Sequence, residues 1–124
     1  MKNQYLVIAE SLIYKNNKLT AINMYDQFVA MQLPAEFDFD LAVLCGPGWA
    51  VGDYSLDIFI EPKGSESVKL GVINFEIPNE NFVYNAVAKD LSLLVNEGVE
   101  EITFVVKNKD DILVRRNFMI SVLE

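Results

Sequence analysis

The residue types that most often carry out catalysis are scarce in this chain. It contains no histidine and one cysteine among its 124 residues. Imidazole is the usual proton carrier near neutral pH, and zinc sites are built from imidazoles or clustered thiolates. Ser11, Ser55 and Ser92 therefore have no histidine that could activate them. This composition predicts a protein that is not an enzyme and carries no cofactor and no metal.

Four aspartates are the remaining candidates for metal binding or acid–base chemistry. Strand spacing places Asp38 and Asp40 on one face and Asp53 and Asp57 on another, across an expected hairpin. Clustered carboxylates can bind calcium, and a carboxylate pair can serve a glycosidase. The chain has no Asp-x-Asp-x-Asp-Gly loop and little material for a deep cleft. A solvated acidic face is the favoured interpretation, and a weak calcium site stays open.

The most distinctive local sequence contains two glycines, a proline and the only tryptophan, and its residues are Gly46, Pro47, Gly48 and Trp49. Glycine and proline favour a tight, rigid turn, and tryptophan is a frequent binding hot spot. One hypothesis is an aromatic contact for a partner chain or a sugar ring, with Tyr54 nearby. The alternative is that Trp49 folds back and plugs one end of the core.

The single thiol and the N-terminal sequence bear on the compartment. Cys45 ends an apolar run over 41–45, so we expect a small buried core residue that forms no internal disulfide. The apolar run over 5–9 is too short for a signal peptide or a membrane span. These features predict a cytoplasmic protein.

The charge balance restricts the possible partners. Eighteen acidic and ten basic residues give a formal net charge of −8, which disfavours binding to nucleic acid and to anionic membranes. A protein partner or self-association is the expectation, and a small ligand is possible. One candidate self-association surface is the strand face that carries Leu113, Arg115, Asn117, Met119 and Leu123.

Short apolar runs separated by turn residues must position all these groups. They predict strands over 5–14, 19–32, 39–45, 53–61, 68–77, 82–88, 100–106 and 112–122. Tight turns are expected at Asn16–Asn17 and over 107–111, and Asp90 could cap one short helical turn near 90–96. The prediction is one all-β domain over residues 1–124, a two-sheet antiparallel sandwich of about eight strands.

Three stretches of sequence together resemble a known family. They are 8–11 followed by 18–26, then Pro34 after the second strand, and finally Gly98 with the strands over 102–106 and 119–122. This pattern resembles a family of small uncharacterised bacterial proteins with an immunoglobulin-like β-sandwich. The resemblance implies the fold but no activity, so no functional residues are carried over from it.

These observations favour a non-enzymatic interaction or structural module. It would act through strand edges or through the 46–49 loop. The alternative is a small-ligand domain, binding carbohydrate on an aromatic platform at Trp49.

Overall fold

The computed structural model describes residues 5–16 and 18–123, and it confirms the all-β prediction with nine strands in place of about eight. Within these ranges no helix is long and apolar enough to cross a membrane. The strands are β1 Tyr5–Lys15, β2 Lys18–Met24, β3 Phe28–Ala30, β4 Ala35–Cys45, β5 Gly52–Pro62, β6 Val68–Ile77, β7 Tyr84–Val95, β8 Glu101–Asn108 and β9 Asp111–Val122.

The strands form a two-sheet sandwich around one main core. Sheet 1 has the order β2-β1-β4-β7, and sheet 2 has the order β3-β9-β8-β5-β6. All neighbouring strands are antiparallel except β3, which runs parallel to β9. Successive side chains of a strand alternate between core and solvent, as β5 shows with buried Leu56, Ile58 and Ile60. The largest core side chains include Phe28, Phe39, Phe104 and Phe118.

The return strand predicted over 19–32 is wrong in extent, because two strands in different sheets replace it. β2 ends in sheet 1, and the chain crosses to β3 in sheet 2 over 25–27. Asn23 has a φ of 54°, a left-handed conformation that interrupts extended backbone. Phe28 is fully buried, and its ring stacks on those of Tyr25 and Phe104. Burial of this ring accounts for the crossing, which the apolar periodicity does not reveal.

The hairpin expected between 39–45 and 53–61 does not form. β4 lies in sheet 1 between β1 and β7, whereas β5 lies in sheet 2 between β8 and β6. Residues 46–51 therefore connect the two sheets. β4 and β5 each have an apolar face that packs into the core. Each strand can therefore bury this face as a member of a different sheet.

The helical turn expected near 90–96 is also absent, because β7 continues from the predicted strand to Val95. Asp90 caps no helix but has a φ of 57° at a β-bulge. The register between β4 and β7 shifts between Phe39 and Leu41, so that Asp40 lies opposite both Lys89 and Asp90. One extra residue in β7 thus replaces the predicted break in the strand.

A second, smaller apolar cluster lies on the outer face of sheet 1. Ala9 and Ala42 alternate with core residues and so point away from the main core, yet they are buried. Leu12 is packed with them, and Val7, Leu19, Ala21 and Val87 surround this cluster. The far half of the β1–β2 hairpin therefore covers this face. At its turn Asn16 has a φ of 54°, and Asn17 lies outside the described residues.

The hairpin predicted from the last two runs is confirmed as β8 and β9. Its turn is shorter than the expected 107–111, because strand pairing extends to Asn108 and Asp111. Lys109, in the turn, has a φ of 57°. Arg116 interrupts the apolar face of β9 and lies half-buried at the side of the sandwich, facing β1.

Candidate functional site

The loop over 46–49 has the tight conformation that its glycines predicted. Gly46 and Gly48 have φ values of 91° and 100°, which favour glycine, and the Gly46–Pro47 peptide bond is cis. A Cβ at Gly46 would collide with the carbonyl oxygen of Phe82. The Gly48 N–H donates a hydrogen bond to the Glu80 carbonyl at 2.8 Å. The loop is therefore attached to the connection between β6 and β7.

Trp49 is only 3% exposed and belongs to the main core. Its ring centroid lies 4.9 Å from that of Tyr54 and 6.1 Å from that of Phe75. The indole Nε1 is buried and has no hydrogen-bond partner among the described residues. The structure therefore corresponds to the plug alternative, and the indole offers no accessible surface to a partner or a sugar.

Tyr54, the other predicted binding residue, belongs to the same closed end. Its hydroxyl donates a hydrogen bond to the Ala50 carbonyl at 2.7 Å, and its ring stacks on Phe75. Phe75 stacks in turn on Tyr84, and Tyr84 on Phe82. The aromatic side chains of this end thus pack against one another across both sheets. Sequence proximity predicted the Trp49–Tyr54 contact but not the remaining partners.

The four candidate aspartates are not brought together. Asp38 and Asp40 lie on β4 in sheet 1, and Asp53 and Asp57 on β5 in sheet 2. Asp57 forms an ion pair with Lys69 at 2.9 Å. No group of three or more potential metal ligands occurs among the described residues. The separation follows from the missing hairpin between β4 and β5.

Asp40 has a structural environment that the sequence did not reveal. Its carboxylate is buried, and it accepts hydrogen bonds from the N–H groups of Leu12 (2.8 Å) and Asp90 (2.9 Å). The Lys89 ammonium lies 3.4 Å away and donates to the Leu12 carbonyl. Burial opposes ionisation, but these donors and the cation outweigh it and lower the pKa of Asp40. The carboxylate thereby holds the β1–β2 hairpin against the bulge of β7.

Cys45 is fully buried, as predicted for a core residue. Its burial raises the pKa of the thiol to about 12. The only thiol of the chain is thus held in its protonated, weakly nucleophilic form.

A groove of about 420 Å³ opens at the end of the sandwich opposite Trp49. The two features lie at opposite ends because β5 runs from the Trp49 loop to the turn at Pro62, which borders the groove. The groove lies between β6 and β7, the last strands of their sheets, which no strand ladder joins in the described ranges. Its apolar lining includes Ile60, Val68, Leu70, Leu93, Val95, Val99 and Ile102.

Among the described residues, the charged side chains that line this groove have one sign. They are Glu66, from the turn between β5 and β6, and Glu97, from the turn between β7 and β8, and both are exposed. Ser65, Ser92 and Asn96 complete its polar border. The groove is therefore an apolar floor with an acidic rim. The sequence does not reveal this groove, because its residues come from separate strands and turns and no local motif marks them.

The predicted self-association face of β9 is only partly free. Arg115, Asn117, Met119 and Leu123 are exposed, but Leu113 packs against the main core. The Asn117 side chain also accepts a hydrogen bond from the Thr103 hydroxyl on β8.

Comparison with models of known protein families and with curated protein sequences gives no match for this chain. The resemblance to an immunoglobulin-like family therefore stays a prediction.

Proposed function

We propose that this protein is a non-enzymatic interaction module that binds an extended segment of a partner protein in the groove between β6 and β7. The observation that carries the proposal is an apolar core end that lies open between two edge strands, whereas aromatic rings close the opposite end. An extended peptide can add to an exposed strand edge while its side chains fill adjacent pockets.

The lining of the groove specifies the side chain that would enter it. Leu70 and Val99 are half-buried and contact the core, and Val68 is 51% exposed at the mouth. A Val, Leu or Ile side chain of a partner would cover this apolar surface. Burial of one such side chain contributes about 1.5–3 kcal/mol.

The rim specifies the flanking residues of the partner segment. The carboxylates of Glu66 and Glu97 would face a lysine or arginine, and the net charge of −8 favours the approach of a basic segment. Because both glutamates are exposed, their effect falls on association rate and specificity more than on affinity.

Other features support the remaining parts of the proposal. A non-enzymatic role fits a chain without histidine whose one thiol is buried. A cytoplasmic location, which we also propose, fits a single reduced cysteine. The alternative of a carbohydrate platform at Trp49 has less support, because the indole is buried.

The experiment is titration with a blocked peptide of sequence KVLVK, followed by the backbone amide signals in NMR spectra. We expect shifts confined to the residues that line the groove, Ser92 to Glu97 among them. Peptides EVLVE and KVNVK serve as ligand controls. The variant Glu66→Lys with Glu97→Lys should bind KVLVK more weakly, mainly through slower association and most clearly at low salt, because attraction at the rim becomes repulsion.

The matched control is Glu76→Lys with Glu80→Lys, which changes the net charge equally on exposed residues away from the groove. This control should bind almost as the unaltered protein does. If both double variants weakened KVLVK binding equally, the effect would come from the net charge of the protein and not from the rim of the groove. Shifts by KVLVK that lie outside the groove would contradict the assignment of the site.

A further inference from the structure

The tip of the β1–β2 hairpin combines exposed lysines with an exposed isoleucine. The segment over 11–25 contains no acidic residue, although the whole chain has a net charge of −8. Lys15 and Lys18 are both exposed, and they lie directly opposite each other in the ladder of β1 and β2. Ile13 is 47% exposed and lies on the same face of β1 as Lys15. The tip therefore presents one apolar and two basic side chains to the solvent.

The two lysines of the tip have no counter-charge in the described part of the chain. Neither Lys15 nor Lys18 takes part in an ion pair there. Like charges directly opposite each other on neighbouring strands destabilise the strand pair. Two carboxylates placed beside the ammonium groups would offset this repulsion. The tip therefore favours an acidic partner.

The groove between β6 and β7 has the complementary character. Its floor is apolar, and the exposed carboxylates of Glu66 and Glu97 line its rim. No described residue of the β1–β2 hairpin lines the groove of the same copy. β2 is the first strand of sheet 1 and β7 the last, with β1 and β4 between them. In this fold, a hairpin tip that occupies the groove therefore belongs to a second copy.

From this complementarity we infer that the hairpin tip of one copy docks in the groove of a second copy. The inference rests on the proposed function, because it names the partner of the same groove. Ile13 then covers part of the apolar floor, which accepts a Val, Leu or Ile side chain. Lys15 and Lys18 face the two carboxylates of the rim.

The contact is heterologous, because each copy offers its hairpin to one neighbour and its groove to another. Contacts of this type close into rings or extend into longer assemblies. The charged groups involved are exposed, and exposed ion pairs contribute little free energy each. We therefore expect a weak association that depends on protein concentration.

The test is sedimentation equilibrium from about 1 μM to about 1 mM protein, a range that covers weak contacts. The weight-average mass of the unaltered chain should rise with concentration. The hairpin variant is Lys15→Glu with Lys18→Glu, and the groove variant is Glu66→Lys with Glu97→Lys. Each variant alone should stay monomeric, because like charges meet at the contact.

An equimolar mixture of the hairpin variant and the groove variant should associate as the unaltered chain does. In the mixture an acidic tip meets a basic rim, and a basic tip meets an acidic rim. The matched control is Lys109→Glu with Arg115→Glu, which changes the net charge as the hairpin variant does. Both control residues are exposed, and neither lines the groove. This control should associate almost as the unaltered chain does.

Monomer at every concentration of the unaltered chain overturns the inference. So does a mixture that fails to associate, or a control that associates as little as the hairpin variant. The peptide KVLVK separates this inference from the proposed function. Shifts at the groove in a chain that stays monomeric would refute the hairpin contact alone. A mixture that associates although KVLVK leaves the groove signals unchanged would refute the binding of an extended segment alone.

Discussion

The guanidinium of Arg116 on β9 donates a hydrogen bond to the carbonyl oxygen of Leu6 on β1 at 3.0 Å. The same guanidinium lies 4.7 Å from the ring centroid of Phe118. β9 belongs to sheet 2 and β1 to sheet 1, so this side chain bridges a side of the sandwich where no ladder joins the sheets in the described residues. An arginine on an otherwise apolar strand face is thereby explained.

We expect Arg116→Met to lower the free energy of unfolding by about 1–3 kcal/mol, because the charge-assisted hydrogen bond and the cation–π contact are lost. Arg115→Met is the neighbouring control, since Arg115 is exposed on the outer face. Its effect should stay within about 0.5 kcal/mol. Urea unfolding of both variants measures the difference, and equal effects would show that the bridge contributes nothing specific.

The buried carboxylate of Asp40 gives the second prediction. Asp40→Asn should destabilise the protein by about 1–3 kcal/mol near neutral pH, because hydrogen bonds to a buried charged acceptor are weakened and Lys89 loses its counter-charge. Asp38→Asn is the control on the same strand. Asp38 is exposed and accepts one hydrogen bond from Ser92, so we expect a much smaller loss.

The same carboxylate makes a pH-dependent contribution to stability. The pKa of Asp40 is lower in the folded than in the unfolded chain, so its contribution is complete above the unfolded pKa of about 4. It is lost as the pH falls through the folded pKa. The stability difference between the unaltered protein and Asp40→Asn should therefore be constant between about pH 5 and pH 7 and shrink below about pH 4. A difference that grows on acidification would contradict the direction of the pKa shift.

Much of the fold was predictable because alternation is a local signal. The inner face of β5 and the hairpin of β8 and β9 follow from residues a few positions apart. The crossing after Met24 was not predictable in this way. It depends on Phe28 meeting Phe104 and Phe118, which are distant in the sequence. The continuity of β7 likewise depends on Asp40 accepting a hydrogen bond from Asp90 across the bulge.

The candidate sites also contain local features that were predictable from the sequence and non-local features that were not. The tight 46–49 loop was predictable because glycine and proline restrict local backbone conformation. The inward orientation of Trp49 was not predictable. Its ring packs near Phe75, which stacks on Tyr84, and no local sequence pattern connects either residue to Trp49. The groove was not predictable, because Glu66 and Glu97 lie in separate turns and line one groove only through the packing of the two sheets.

The thiol of Cys45 should be unreactive in the folded protein. With a pKa of about 12 and a fully buried side chain, it has almost no thiolate at pH 8. We expect Ellman's reagent to label it only as fast as the chain unfolds, and at once in concentrated urea. Rapid labelling of the native protein would show that this part of the core opens readily.

Trp49 gives the last prediction, which concerns both its burial and its unpaired N–H. Trp49→Ala should cost about 3–5 kcal/mol, because it removes a buried ring in contact with Tyr54 and Phe75. Trp49→Phe should cost clearly less, since it keeps ring contacts and removes a buried Nε1–H that has no partner among the described residues. Urea unfolding followed by circular dichroism compares the two variants without relying on tryptophan fluorescence. Emission of the unaltered protein should be blue-shifted and resist quenching by iodide, and an indole that iodide quenches freely would contradict the plugged end of the sandwich.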